Sequence, residues 1–67
     1  MEIIATRLKE LRLENNLNQG QVADIIKVSR VVYNRYERNQ REIPIELLCV
    51  LADYYDVSMD YLVGREN

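Results

Sequence analysis

Five basic side chains lie close together in the middle of this chain, within residues 27–41. They are Lys27, Arg30, Arg35, Arg38 and Arg41. With Glu37 as the only acid among them, this basic segment carries a formal charge of +4, whereas the chain of 67 residues carries -2. Guanidinium groups bind phosphate oxygens, and they also donate paired hydrogen bonds to guanine O6 and N7. The segment therefore predicts a local anion-binding surface, and the competing interpretation is a solvated helix face.

This sequence has few of the residues that commonly act in catalysis or bind zinc, since it contains no histidine and one cysteine. There is no histidine, which removes imidazole acid–base catalysis, histidine-activated nucleophiles and Cys/His zinc sites. The one cysteine, Cys49, has no partner for an intramolecular disulfide. Because it stands between apolar neighbours in the sequence, we expect an inert buried thiol rather than a redox sensor. We expect no enzyme, no cofactor, no metal site and no small-molecule ligand.

The length and hydropathy of the chain indicate one domain, residues 1–67. A chain of this size is near the lower limit for folding without a disulfide or a metal. No apolar run reaches the roughly 18 residues of a membrane span, and the first residues lack the basic start of a secretion signal. We therefore expect a cytoplasmic protein without a membrane partner.

Start and stop signals predict two short helices before the basic segment. The first covers about residues 2–15 and ends at Asn15 and Asn16, because Asn tolerates the left-handed conformation of a helix exit. Its apolar face is Ile4, Leu8 and Leu11. The second helix begins at Asn18 and has Gln21 three residues later, the spacing of a capping box.

A third helix follows after a very short turn, with Ser29 as its cap. So tight a turn suits a helix-turn-helix, at about residues 18–38, whose second helix can enter the DNA major groove. Tyr33 and Tyr36 are expected in the core. The opposite stripe of this helix is polar apart from one valine, and it contains Arg30, Val31, Asn34, Arg35 and Arg38.

Two further helices are predicted after the basic segment. Pro44 suits the first turn of the fourth helix, where its missing N–H is not needed. The core face of that helix is Leu48, Leu51, Ala52 and Tyr55. A fifth, single-turn helix begins at Ser58 and ends at Gly64. No segment alternates as a strand does, so we predict an all-α, compact five-helix domain.

Several sequence segments, in this order and spacing, carry a family resemblance over about residues 4–65. They are Arg7–Arg12, Leu17–Gln19, Val22-Ala23, Val28–Arg30, Arg35–Arg38, Leu51-Ala52 and Val57–Gly64. Together they resemble the Cro/lambda-repressor-type (XRE) helix-turn-helix regulators. The resemblance implies a lambda-repressor-like fold and a dimer that binds double-stranded DNA, usually as a repressor. It places the helix at 30–38 in the major groove and the start of the helix at 18–26 on the DNA backbone.

Four positions depart from the pattern of that family. Lys27 and Asn39 stand where the family often has glycine, so a left-handed Lys27 would cost roughly 1 kcal/mol. Val31 stands, with the following valine, where many relatives carry polar base-reading side chains. This departure puts the breadth of direct base readout in question.

Three residues of the third helix are predicted to contact base edges. Arg30 is the first helical residue and can donate two hydrogen bonds to guanine, and Arg35 follows on the same outer face. Val31 can contact only apolar groups, of which the thymine methyl is available in the groove. The alternative is that both arginines contact phosphate alone.

A second group of polar residues is predicted to contact phosphate and to fix the register on DNA. Gln19 lies at a helix N-terminus, which favours an anion. The family resemblance implies that it clamps the DNA backbone, with a base contact as a further option. Asn18 is a helix cap first and a phosphate contact second. The remaining candidates, on the other side of the groove, are Asn34, Arg38 and Arg41.

Two expectations concern structure and assembly. By the resemblance, Arg12 and Glu37 form a partly buried ion pair between the first helix and the end of the third. A second apolar stripe runs along the fourth helix beside its core face. This apolar stripe consists of Leu47, Val50 and Tyr54, and we predict that it forms a homodimer interface together with the fifth helix.

The sequence therefore predicts a sequence-specific DNA-binding transcriptional regulator, a repressor of a palindromic operator. An antitoxin or a restriction-controller protein would use the same domain. A protein-interaction module that has lost DNA binding is the alternative from another class. The charge of the basic segment argues against that alternative, and its two valines argue for it.

Overall fold

The computed structural model describes residues 1–66 and contains five helices. They are α1 (Glu2–Glu14), α2 (Gln19–Ile25), α3 (Arg30–Glu37), α4 (Ile45–Tyr55) and α5 (Met59–Leu62). No strand occurs within residues 1–66, which confirms the all-α prediction. In the same part of the chain, no helix has the length and apolar character needed to cross a membrane.

Side-chain oxygens cap three of the five helix starts. Asn18 accepts a hydrogen bond from the backbone N–H of Gln21 at 2.8 Å, and the Gln21 side chain accepts one from the Asn18 N–H at 2.8 Å. This reciprocal arrangement is the predicted capping box. Ser29 caps α3 and Ser58 caps α5 through their hydroxyl groups. The short polar side chains therefore fix where these helices begin.

The start of α4 lies one residue later than predicted. Pro44 precedes the helix as its N-cap, with ψ at 144°, instead of lying in the first turn. Its carbonyl accepts a hydrogen bond from the Leu48 N–H at 3.0 Å, and Ile45 takes the first helical position. The prediction was wrong by one position. The N–H groups at the N-cap and in the first turn both lack a partner within the helix, so proline is tolerated at either position.

The connection after each of the first four helices passes through one left-handed residue that is not glycine. These residues are Asn16, Lys27, Asn39 and Asp56, with φ between 57° and 59°. The left-handed conformations expected at Lys27 and Asn39 are thus confirmed. Asn and Asp tolerate this conformation, whereas the Lys27 side chain has no such advantage.

The core lies where α1 packs against both α3 and α5, with α2 against α3 and α4 against α5. Tyr33 and Tyr36 are buried there, as predicted, and their rings meet edge to face with centroids 6.4 Å apart. The predicted core face of α4 is buried in full: Leu48, Leu51, Ala52 and Tyr55.

Cys49 is exposed, so the prediction of a buried thiol was wrong. The apolar residues beside it in the sequence do not surround it in space. Consecutive residues on a helix lie on different faces, so the burial of Leu48 and Leu51 turns Cys49 outward.

Candidate nucleic-acid interface

The turn between α2 and α3 joins two closely packed helices. The Val28 N–H donates a hydrogen bond to the Ala23 carbonyl at 3.0 Å, which closes the turn back onto α2. Lys27, with φ 59°, supplies the reversal of direction. Val22 and Ala23 of α2 and Tyr33 of α3 are buried in the same apolar core. The side chains of Arg30, Val31 and Arg35 on the outer face of α3 remain exposed.

All five cations of the basic segment are exposed, whereas its one acid is turned inward. The side chain of Glu37 retains only 3% of its accessible surface. The exposed charge of the segment is consequently more positive than the sequence total of +4 suggests. Within residues 1–66 the Arg12–Glu37 pair is the only ion pair, so no carboxylate neutralises the segment's cations.

Arg12 and Glu37 form the predicted ion pair between α1 and the last residue of α3. Arg12 Nε donates to Glu37 Oε2 at 2.7 Å, and Nη2 donates to Oε1 at 3.1 Å. Arg12 also donates to the Leu17 carbonyl at 3.1 Å. Burial works against the ionised carboxylate, but the hydrogen bonds that it accepts outweigh this effect and hold the pKa of Glu37 below its ordinary value.

A chain of amide hydrogen bonds connects this ion pair with the surface of α3. Gln19 Nε2 donates to Glu37 Oε1 at 3.2 Å, and Gln19 Oε1 accepts from Asn34 Nδ2 at 3.1 Å. The sequence predicts Gln19 and Asn34 as separate phosphate contacts, but it does not predict the hydrogen bond between them. No periodicity or cap signal marks a side-chain pair 15 residues apart.

An open cleft of about 360 Å³ lies at the start of α3. It is lined by Gln19, Arg30, Val31 and Asn34. The structure thus brings together two of the three residues predicted to contact bases and two of those predicted to contact phosphate. Val31 is 62% exposed here, so an apolar group stands on the surface of an otherwise polar wall.

The other predicted contact residues lie around this cleft or along α3. Asn18 precedes α2 and uses its side-chain oxygen as the helix cap. Arg35 lies in the last turn of α3 and does not line the cleft. Arg38 follows α3 as its C-cap, and Arg41 lies in the following loop; both are exposed.

The predicted apolar stripe on α4 is only partly free. Leu47 is half-buried and packs on the core, whereas Val50 is 42% and Tyr54 50% exposed. Ile45, which sequence reasoning missed, is 64% exposed at the first position of the same helix. Ile45 lies two residues before Leu47, so it falls outside the i, i+3, i+7 spacing that defines the stripe.

Arg7 is a second residue whose role was missed. Its Nη1 donates to the Tyr61 carbonyl at 2.7 Å, and its guanidinium carbon lies 4.0 Å from the centre of the Tyr61 ring. Arg7 therefore links α1 to α5. It does not line the cleft, so its role is structural.

Comparison with known proteins gives one family match over most of the chain. The helix-turn-helix model HTH_3 matches residues 8–62. No solved structure matches the chain.

Three curated relatives illustrate the similarity. The HTH-type transcriptional regulators AnsR and YobD of Bacillus subtilis (strain 168) are each 38% identical, over 91% and 87% of this chain and 53% and 52% of their own lengths. Control protein C.SmaI of Serratia marcescens is 32% identical over 98% of this chain and 79% of its own length. The chain thus spans about half the length of the two Bacillus relatives.

Proposed function

The chain belongs to the helix-turn-helix family of Cro/C1 type, and we propose that it is a transcriptional regulator that binds a palindromic DNA operator as a homodimer and represses transcription. The observation that carries this proposal is the exposed cationic surface of the basic segment, whose only acid, Glu37, is turned into the protein. Phosphate backbones bind such surfaces and release counterions. A bound regulator that covers a promoter excludes polymerase, which is the simplest route to repression.

Base readout is assigned to three residues of α3. Arg30 begins the helix at the cleft and pairs with guanine, and Val31 beside it contacts a thymine methyl. Arg35 reads a second base pair farther along α3. Exposure of all three side chains supports this assignment, because side chains that contact bases must be free of the protein core.

Phosphate contacts on either side of α3 fix the register of the complex. Arg38 and Arg41 hold the backbone beyond the C-terminal end of α3. Asn18 and Gln19 lie at the start of α2, where free N–H groups also favour an anion. Asn34 lines the same cleft as Gln19, so it belongs to this polar surface too.

A homodimer would place two copies of α3 in successive major grooves about 34 Å apart. The proposed interface is the apolar stripe of Leu47, Val50 and Tyr54, together with α5. Its exposed members are apolar on a surface with many charges, which supports a role in association. As a regulator of DNA, the protein would act in the cytoplasm.

The deciding experiment is selection from a pool of random duplexes, followed by sequencing, at two salt concentrations. The wild-type chain is compared with the Arg30→Ala/Arg35→Ala double variant. A matched control, Lys9→Ala/Arg65→Ala, removes the same charge from exposed positions outside the basic segment. We expect the wild type and the control to enrich one palindrome, and the arginine variant to bind it at least about tenfold more weakly.

The two salt concentrations test how much phosphate contacts contribute to binding. Binding of all three proteins should weaken steeply as the salt concentration rises, because counterion release drives association. Enrichment of no motif by the wild type, with binding unchanged in the arginine variant, would refute the regulator proposal. The alternative would then be a protein-interaction module that binds its partner through the apolar stripe.

A control protein, as in a restriction-controller system, is the second candidate. The supporting observation is that C.SmaI, a control protein, is 32% identical over 98% of this chain. Both candidates bind DNA through the same surface, so the genes that flank the operator distinguish them.

A further inference from the structure

We infer that Asn34 reads an adenine through its side-chain amide, and that Gln19 is a positioning residue that holds Asn34 for this contact. The inference deepens the proposed function and rests on it. It changes the predicted partner of Asn34 from a phosphate to a base edge. The observations that carry it are the hydrogen bonds that link Asn34 through Gln19 to Glu37.

The orientation of both amides follows from the carboxylate at the inner end of the chain. An ionised Glu37 can only accept hydrogen bonds, so Gln19 must turn its nitrogen toward it, as observed at 3.2 Å. The Gln19 oxygen then faces Asn34, and Asn34 must in turn present its nitrogen, as observed at 3.1 Å. Because Arg12 holds Glu37 through two hydrogen bonds, the whole chain is anchored in the core.

This anchoring leaves Asn34 with one free N–H and a free oxygen. Asn34 Oδ1 accepts no side-chain hydrogen bond from the described part of the chain, residues 1–66, and it is not among the buried polar atoms without a partner. The oxygen is therefore open to solvent. The side chain lines the cleft beside Arg30 and Val31, the two residues proposed to contact bases there.

A donor and an acceptor on one side chain match adenine better than phosphate. In the major groove adenine offers the N6 amino group as donor and N7 as acceptor, and asparagine pairs with both. A phosphate only accepts, so it would use the N–H of Asn34 and place the carbonyl oxygen near an anion. The preset amide of Asn34 therefore favours an A·T pair next to the base pair read by Arg30.

The test uses the selected operator and its single-base-pair variants, with affinity measured for each. The proteins are the wild type, Asn34→Ala, Gln19→Met and the double variant, with Arg38→Ala as the control for a phosphate contact. Methionine keeps the unbranched shape of Gln19 but makes no amide hydrogen bond. Thermal unfolding followed by circular dichroism identifies any variant that has lost its fold.

We expect Asn34→Ala to reduce the preference for one A·T pair in each half-site on the order of tenfold, and to leave the guanine preference set by Arg30 intact. Gln19→Met should weaken the preference at the same base pair by a smaller factor. The double variant should be no worse there than Asn34→Ala alone, because the two residues act as one unit.

Two results would overturn the inference. If Asn34→Ala weakens binding equally at every sequence, as expected for Arg38→Ala, then Asn34 contacts phosphate. If Gln19→Met and Asn34→Ala have additive effects at different base pairs, then Gln19 does not position Asn34. Failure of the wild type to select any operator would refute the proposed function itself, which is a separate outcome.

Discussion

Glu37 is a carboxylate with little access to solvent that accepts hydrogen bonds from Arg12 and Gln19. These bonds lower its pKa in the folded state from the ordinary 4.5. The unfolded chain therefore takes up the proton first, so the stabilisation is complete above about pH 4.5 and is lost as the pH falls toward the folded-state pKa. We expect Glu37→Gln to cost about 3 kcal/mol at pH 7 and much less at pH 3.

Urea unfolding at pH 7, 5 and 3 measures this difference between the wild type and Glu37→Gln. Glu42→Gln, a change of the same kind at an exposed position, serves as the control and should follow the wild type at each pH. A cost of Glu37→Gln that stays constant between pH 7 and pH 3 would show that the ionised carboxylate does not provide the stability.

The connection between α2 and α3 depends on one residue in an unfavourable conformation. Lys27 has φ 59°, which glycine adopts without a Cβ clash. We expect Lys27→Gly to raise the free energy of unfolding by up to about 1 kcal/mol, measured by urea or thermal unfolding. Lys9→Gly, the same substitution in the middle of α1, should instead lower it by about 1 kcal/mol. Destabilisation by both variants would mean that Lys27 makes a compensating contact.

Helix boundaries could be predicted from the sequence because the signals for them are local. Asn18, Ser29 and Ser58 each satisfy an N–H only three residues away, so type and spacing suffice. The resemblance supplied the Arg12–Glu37 pair, which joins residues 25 apart.

The contacts that were missed connect distant residues or depend on the rotation of a helix. Arg7 contacts Tyr61, 54 residues away in sequence, and Gln19 contacts Asn34, 15 residues away. No sequence pattern indicates either contact. Cys49 was misplaced because its sequence neighbours lie on another face of α4. Packing in three dimensions decides such positions.

At the scale of the whole molecule, the homodimer proposal makes a prediction about α4. Val50→Glu places a charge on the apolar stripe and should weaken self-association at least about tenfold, as measured by sedimentation without DNA. Val31→Glu, the same substitution at an exposed position of α3, should leave self-association unchanged. Wild-type protein that remains monomeric at high micromolar concentration would contradict the homodimer proposal off DNA, and equal dimerisation by Val50→Glu would show that the interface lies elsewhere.

Because Glu37 is turned inward, the exposed charged side chains of the basic segment are all cationic. The chain as a whole nevertheless carries a net negative charge. Residues 42–67 contain six acids and one arginine, so the two signs are separated along the chain. At distances beyond the Debye length of about 8 Å at physiological salt, the protein's charges interact only weakly with DNA. The net charge is negative, so it does not attract a duplex. At closer range the segment's cations orient the molecule as it diffuses, and an approach with the acidic part leading is repelled. Encounters with unrelated DNA should thus be brief, which favours a search by repeated hopping over prolonged sliding.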